Sequence, residues 1–408
     1  MQRRTFLKTA LAAPIFFNLV CIGNSCKLQY LPATEKGFEL LEVSGSYREI
    51  GRQIGKYFKK NIYQSIRQQP GMLDKLMAIA ESESGKKYSL SLLASVKRGF
   101  PHLLDELAGM ADGAGLHFNI LWYLSIRYEL NAFGYESPGS CTVPPGCSTI
   151  YYNDGKANWL FHNEDGNIAY KNEMLVLKVH PPSGVDYYSF AYPGCITSAG
   201  PSFNSEGIIV TANFIGCKKP EEGVPRFFIG RAILEAKTLK EAIQIVSYNP
   251  RAFPWHHSLA SVSSGEYISI ETLPRNYKKQ DSTSGVIEIK KPNKGFPYLH
   301  TNHTIGEKTT DYIYQDINYR DSDSVSRLNV LSELRDNQKY PVSDPKVFLH
   351  WLSSRKNAPN CPCKVADKRN RGQTLGTAFF DLNTGVFRLY KGAPCQSVDK
   401  GIFQEYRF

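Results

Sequence analysis

The sequence predicts an α+β fold, a helical N-terminal third followed by antiparallel sheets with helices packed on them. Three features predict it. Apolar residues recur at three-to-four spacing from Phe38 to about Leu130. Near Gly134 the pattern changes to short β-rich runs between turn residues, and helical periodicity then returns twice. A β-region interrupted by helices suggests sheets sandwiched by helices in one continuous domain.

In chain order, Ile50, Ile54, Tyr57, Phe58 and Ile62 form one helical stripe. Val96, Phe100, Leu103, Leu104, Leu107 and Met110 form a second. A third helix is expected from Ile120 to Leu130, after a turn at Gly115. Gly134 to Gly146, with Pro138, Pro144 and Pro145, reads as an exposed connector. The runs Ser148–Tyr152, Trp159–His162, Met174–Val179, Tyr187–Ala191 and Gly207–Phe214 are separated by turns such as Asn153-Asp154-Gly155 and Asn204-Ser205-Glu206-Gly207. They read as hairpins of an antiparallel sheet. Helices are expected over Arg226–Tyr248 and Val325–Arg335. Strands are expected over Leu259–Ile270, Val286–Ile289 and Thr374–Tyr390, the last turning at Asn383-Thr384-Gly385.

The 408 residues are 42% hydrophobic and 21% charged, a globular composition that argues against disorder. The formal charge of +11 comes from scattered residues with no basic run, which argues against nucleic-acid binding. Arg3-Arg4-Thr5-Phe6-Leu7-Lys8 leads into an apolar run broken by Pro14, too short for a membrane span. It resembles a twin-arginine export signal. Residues 1–25 are therefore expected to be removed, giving a periplasmic or extracellular protein with no stable membrane insertion. Cys21 and Cys26 would permit lipid anchoring, but neither has a good lipobox. Losing both of them from the 9 cysteines leaves an odd number in an oxidising compartment, which flags one thiol kept free.

Pro144-Pro145-Gly146-Cys147-Ser148-Thr149 is the most informative stretch. Two prolines hold the chain extended, Gly146 minimises bulk, and a strand begins directly after the thiol. Such a junction allows Cys147 to attack the preceding carbonyl, in an N→S acyl shift that hydrolysis would complete. The freed α-amine, with a reference pKa of about 7.7–8.0, could then serve as base for its own thiol. Against this stands the plainer reading of a small buried core cysteine. Asp165 follows eighteen residues later, across a hairpin that returns it to the Cys147 amine. Asp165-Gly166 could equally be a tight turn.

Gly-Cys-Ser-Thr with Asn163-x-Asp165 resembles the acyl-CoA:6-aminopenicillanic acid acyltransferase family of self-processing cysteine N-terminal-nucleophile (Ntn) hydrolases. Tyr47-Arg48-Glu49-Ile50-Gly51, Glu106-Leu107-x-Gly109, Phe203-Asn204-Ser205-Glu206-Gly207 with Asn213, and Pro225-Arg226 are similar to its later or earlier landmarks. So are His300-Thr301-Asn302-His303, Ser324-x-x-Arg327 and Thr374-Leu375 with Asp381. The resemblance implies an αββα four-layer sandwich and cleavage between Gly146 and Cys147. Fragments 26–146 and 147–408 would stay together as a heterodimer. It implies Cys147 as nucleophile, Asp165 orienting its amine, and Asn302 and Asn213 as oxyanion donors. His162, Asn163 and Arg327 are candidates for substrate contact. No cofactor or metal is implied. Bile-salt hydrolases carry Arg where this chain has His162, which argues against choloylglycine-type specificity.

Other cysteines and histidines point elsewhere. Cys141 precedes the proline-rich linker and lies too far from Asp165 to be the nucleophile. Cys361-Pro362-Cys363 lacks a second pair at zinc spacing, so disulfides among Cys361, Cys363, Cys395, Cys195, Cys217 and Cys141 are the better reading. His256-His257, adjacent on a strand, would face opposite ways. The expected activity is hydrolysis of a linear small-molecule amide through a thioester. Acyl transfer from a thioester donor to an amine is the alternative, and a non-catalytic binding protein is the reading from another class. A papain-like pair is disfavoured because no Cys–His pair has a local signature.

Overall fold

The computed structural model describes residues 18–22, 25–29, 37–134, 146–197, 200–217, 220–274, 285–310, 322–368 and 370–407. Most of the export signal, Cys141 and most of the Gly134–Gly146 connector lie outside the described residues. Two compact units are present, Met1–Glu35 and Lys36–Phe408. In the first, Asn18–Ile22 pairs antiparallel with Ser25–Gln29.

The second unit opens with strand β1 (Leu40–Ser44) and helices α1 (Tyr47–Arg67), α2 (Met72–Glu81), α3 (Glu83–Gly99), α4 (Pro101–Ala114), α5 (Phe118–Ser125) and α6 (Arg127–Phe133). Ser46 caps α1 by accepting from the Glu49 N–H, and Ile50, Ile54, Phe58 and Ile62 form its buried face. The stripe expected from Val96 to Met110 is two helices, because Pro101 cannot continue α3 and instead starts α4. The helix expected over Ile120–Leu130 also divides, at buried Ile126, whose φ of −114° leaves the helical region. Gly115 ends α4 in the left-handed conformation, as the turn reading requires.

Helices α1 and α4 pack backbone against backbone. A Cβ on Gly51 or Gly55 would overlap the carbonyls of Glu106 and Met110, and one on Gly109 or Gly113 those of Arg48 and Arg52. The glycines of the two sequence landmarks are thus reciprocal halves of one contact.

Next come strands β2 (Ser148–Asn153), β3 (Asn158–Asn167), β4 (Leu175–His180), β5 (Tyr187–Ala191), β6 (Ser202–Asn204) and β7 (Ile208–Phe214). Helices α7 (Arg226–Ile233) and α8 (Leu239–Val246) replace the single helix expected over Arg226–Tyr248; Thr238 caps the second one. The run Leu259–Ile270 is likewise two strands, β8 (Trp255–Ser261) and β9 (Tyr267–Thr272), joined through Gly265 at φ 65°. The chain continues with β10 (Ile287–Lys290), β11 (Tyr298–His300), α9 (Asp323–Asp336), α10 (Lys346–Leu352), β12 (Gly372–Asp381), β13 (Val386–Lys391) and β14 (Phe403–Arg407).

One sheet has the order β10-β9-β8-β7-β6-β5-β4-β1 and the other β11-β2-β3-β12-β13-β14. Their neighbours are antiparallel except β1 with β4, which run parallel. That exception corrects the all-antiparallel expectation: the β1-to-β4 connection passes through helices, the kind of long crossover that parallel pairing requires. Neither β1, inside a stretch read as helical, nor α10, too short to show a period, was foreseen.

Side-chain alternation stacks the layers. Tyr151, Leu160, Phe380 and Leu389 of the six-stranded sheet share a core with Val210, Leu259 and Ile270 of the other sheet, and with Ile54, Phe58 and Leu107 of the helices. Ile150, Tyr152, Phe161 and Phe379 face the opposite way, onto Leu331, Phe348 and Trp351 of α9 and α10. The result is the expected α-β-β-α sandwich. Among the described residues no helix is long and apolar enough to cross a membrane.

One buried ion pair ties the N-terminal helices to the sandwich. Arg231 of α7 reaches Glu106 of α4 at 2.7 Å with both side chains fully buried. Without Glu106, Arg231 keeps only the more peripheral Glu235, at 2.8 Å, as counter-charge, so Glu106→Ala is expected to cost about 3 kcal/mol, read as a lowered denaturant midpoint. An unchanged midpoint would remove this pair from the account of stability.

Candidate active site

Hairpin β2–β3 builds the centre of the site. Its turn at residues 153–158 fixes the register, pairing Ser148 with Asn163 and Thr149 with His162. Cys147, immediately before β2, is therefore opposite Glu164. Alternation puts Cys147, Thr149, His162 and Glu164 on one face, and Asn163 and Asp165 on the other.

Cys147 is only 6% exposed. Burial, and then the Glu164 and Asp165 carboxyls, push its thiol well above the ordinary range. The Asp165 backbone N–H and the Arg327 guanidinium act in the opposite direction. The sulfur, a ring nitrogen of His162 and a carboxylate oxygen of Glu164 lie within 4.8 Å of one another.

Asp165 is buried, and its Oδ1 accepts from the Thr374 hydroxyl at 2.6 Å. A register shift of β12 against β3 between Thr374 and Gly376 brings Thr374 opposite it. Its Oδ2 is buried without a hydrogen-bond partner. Burial pushes the carboxyl up to about 7, partly offset by Lys364, Arg327 and the Thr374 bond. Asn163, on the same face, spends its amide on structure: Nδ2 donates to the Leu352 and Pro362 carbonyls and Oδ1 accepts from Thr377.

A stability window follows from Asp165. Between its ordinary value of 3.8 and about 7 the folded uncut chain holds a proton that the unfolded chain has released. Stability should therefore fall as pH rises from about 4 to 7 and level off above, by roughly 1.4 kcal/mol per unit from this group. Thermal unfolding of an uncleavable Cys147→Ala chain should show that fall, and adding Asp165→Asn should flatten it. Equal slopes in the two chains would mean that Asp165 is not the group responsible.

Arg327 of α9 clasps the junction. Its Nη1 donates to the Cys147 carbonyl at 2.6 Å and to Ser148 Oγ at 3.0 Å, Nη2 donates to Asn302 Oδ1 at 2.6 Å, and Nε donates to Asp323. Asn302, just after β11, is held further by Ser324 Oγ, which accepts its backbone N–H. A Cβ on Gly146 would overlap Oδ1 and Cγ of Asn302 and sit 2.7 Å from Arg327 Nη2. Only glycine fits there.

The two asparagines expected as oxyanion donors differ. Asn302 already donates Nδ2 to the Phe214 carbonyl at 2.9 Å. Asn213, on β7, accepts at Oδ1 from the Thr149 hydroxyl and from His256 Nδ1, each at 2.9 Å, and its buried Nδ2 has no partner. His256 in turn bonds Ser269 and stacks on His300 at 3.4 Å, whereas His257 turns away to stack on Trp255. Cys363 is disulfide-bonded to Cys395, and the thiols of Cys147, Cys195 and Cys361 are free.

Sequence reasoning missed four participants. Thr149, Glu164 and Tyr192 link into one buried chain through His162, with Tyr192 donating to Glu164 Oε1 at 2.6 Å. Arg226 is buried without any hydrogen-bond partner for its guanidinium, 3.7 Å from the ring centres of both Tyr128 and Trp255. It also lies against Phe214, whose carbonyl anchors Asn302. Pro225-Arg226 for the arginine and Gly-Cys-Ser-Thr for Thr149 were the available signals. Tyr128 packs tilted against Phe214 with ring centres 5.3 Å apart, and Trp122 is buried with its Nε1 donating to Ser89.

The chain is similar to proteins of known activity. β-Alanyl-dopamine/carcinine hydrolase of Drosophila melanogaster is 24% identical over 374 residues, covering 88% of this chain and 94% of that protein. Two mutant structures of conjugated bile acid hydrolase from Clostridium perfringens are 13% and 12% identical. Each matches 64% of this chain and 97% of its own, with TM-scores of 0.35 and 0.36. Residues 152–396, more than half of the 408, match the acyl-coenzyme A:6-aminopenicillanic acid acyl-transferase family, and the chain belongs to that family.

Proposed function

We propose that this protein is an amidohydrolase activated by cleavage before Cys147, which then hydrolyses a linear amide through a thioester on that residue. One observation carries the reading: beside a sealed Gly146–Cys147 junction, a buried carboxylate oxygen, Asp165 Oδ2, is left without a donor. Cleavage converts the Cys147 amide nitrogen into an ammonium or amine, the donor that this oxygen lacks. The new positive charge would pull the Asp165 carboxyl down from about 7, so the carboxylate and the amine favour each other.

In the cut enzyme the amine takes the thiol proton and the sulfur attacks the substrate carbonyl. The amine then protonates the leaving nitrogen, and water releases the acyl group. The unpartnered Asn213 Nδ2 is the readiest oxyanion donor, and a donor of this kind contributes about 3–4 kcal/mol. Asn302 Nδ2 spends one of its two hydrogens on the Phe214 carbonyl and keeps the second to join it. Similarity over 94% of a β-alanyl amide hydrolase favours small N-acyl amines as substrates. Transfer to a second amine instead of water is the alternative outcome of the same thioester.

The test is intact mass spectrometry of the purified protein, followed by incubation with carcinine, an N-acyl amino acid and a conjugated bile acid. A fragment beginning at Cys147 and amine release from the β-alanyl amide are expected. An intact, inactive chain would favour the binding-protein reading, and acyl-amine product with an added amine would favour transfer.

A further inference from the structure

The uncut chain poses a problem that the mature enzyme does not have. Before cleavage the Cys147 nitrogen is an amide with no basic lone pair, so it cannot deprotonate its own thiol. Burial meanwhile holds that thiol in its neutral form. Another acceptor has to take the first proton, and it must sit on the sulfur's side of the hairpin. Asp165 is on the opposite face and Arg327 is a permanent cation.

We infer that His162, paired with Glu164, is the proton acceptor that starts self-cleavage, a role separate from that of the α-amine in the mature enzyme. This rests on the proposed cleavage before Cys147. The geometry supports it twice. First, the Cys147 sulfur, a His162 ring nitrogen and a Glu164 oxygen lie within 4.8 Å of one another, all buried. Second, the hydrogen-bond chain around His162 is wired for a protonated ring. With the Thr149 hydroxyl donated to Asn213 Oδ1 at 2.9 Å, Thr149 has a lone pair left for His162, so Nδ1, 2.9 Å away, carries a hydrogen. Tyr192 donates to Glu164 Oε1 at 2.6 Å, leaving Oε2 to face His162 Nε2 at 3.3 Å. In the neutral ring those two atoms confront each other as lone pairs. A proton on Nε2 gives every member of the chain a matched partner and places a carboxylate beside the new charge.

The step balances as follows. The thiol proton passes to Nε2 and the sulfur bonds to the Gly146 carbonyl carbon. As the C–N bond breaks, Nε2 returns the proton to the departing Cys147 nitrogen, leaving a Gly146 thioester and a free amine. Water then adds to the thioester, the C–S bond breaks, and Gly146 leaves as a carboxylate with the thiol restored. General-base catalysis of this kind contributes about 10²–10⁴-fold.

The experiment follows self-cleavage of the full chain by electrophoresis after cell-free synthesis, with and without hydroxylamine, which cuts a thioester once it has formed. His162→Gln should slow cleavage at least about 100-fold and remain uncut in hydroxylamine, because the thioester is never made. Glu164→Gln, nearly isosteric and still able to accept from Nε2, should slow it about tenfold or more by removing the charge that stabilises the imidazolium. Circular dichroism and melting checks that each variant folds. If His162→Gln misfolds, the Glu164→Gln rate decides. Cleavage of either variant at the parental rate, or rapid hydroxylamine cutting of His162→Gln, overturns the assignment. A Cys147→Ala chain run alongside separates the two ideas. If it is cut, self-cleavage by Cys147 itself is wrong; if it stays whole while His162→Gln cuts normally, only the proton acceptor is.

Discussion

A Cys147→Ala chain is expected to remain one uncut species on any incubation and to hydrolyse no amide substrate, a loss on the order of 10⁶-fold in kcat, the scale seen when a hydrolase loses its nucleophile. Two losses coincide in this variant. No sulfur attacks Gly146, so the α-amine is never released, and no sulfur carries an acyl group. Cys147→Ser should separate them in degree. A hydroxyl is harder to deprotonate than a thiol, so cleavage should slow markedly without vanishing, and any fragment formed should turn over slowly. The alanine methyl leaves a small void in a site that is only 6% exposed and gives up the sulfur's one weak contact with the Asp165 backbone N–H, so the fold should survive. Cleavage at the same bond in Cys147→Ala, or turnover within tenfold of the parent, would exclude this residue as the nucleophile.

Much of the site was legible because one hairpin holds it. A two-stranded register is set by its turn, so the distance from Cys147 to Asp165 along the sequence translates directly into a distance in space. The same alternation places His162 on the sulfur's face with Thr149 and Glu164, although the residues that those two bond in turn were not foreseeable. Thr149 is on that hairpin, but Asn213 comes from the other sheet and Tyr192 from the segment after β5. Which residues two stacked sheets bring together depends on their twist and spacing, and no local period records that. Arg327 clasping the junction and Asn302 wedged against Gly146 are long-range facts of the same kind. The family resemblance pointed to those residues without showing what they do there. Helix boundaries failed for a local reason. At Pro101, Ile126 and Thr238 an apolar stripe continues across a break in the backbone, so the period survives the helix that should produce it.

Gly146→Ala is expected to slow cleavage by at least about 100-fold, by geometry instead of chemistry. The added methyl would overlap Asn302 Oδ1 and Cγ and press on Arg327 Nη2 at 2.7 Å. Neither neighbour is a loose chain end. Asn302 is fixed by Arg327, by the Phe214 carbonyl and by Ser324. Arg327 is fixed by Asp323, Ser148 and the Cys147 carbonyl, itself one peptide from the bond to be cut. The junction therefore has to move, carrying the Gly146 carbonyl away from the sulfur. A displacement of about 1 Å at a reacting centre costs about 100-fold, and the rearranged Arg327 contacts would add to that. Because the thiol and its buried neighbours are untouched, a small alkylating reagent should still reach Cys147 of the denatured variant and of the denatured parent equally, while the folded variant stays uncut. Parental cleavage rates in Gly146→Ala would mean that Asn302 and Arg327 do not hold the Gly146–Cys147 junction in place when the bond breaks, and that the packed junction is a resting arrangement the reaction abandons.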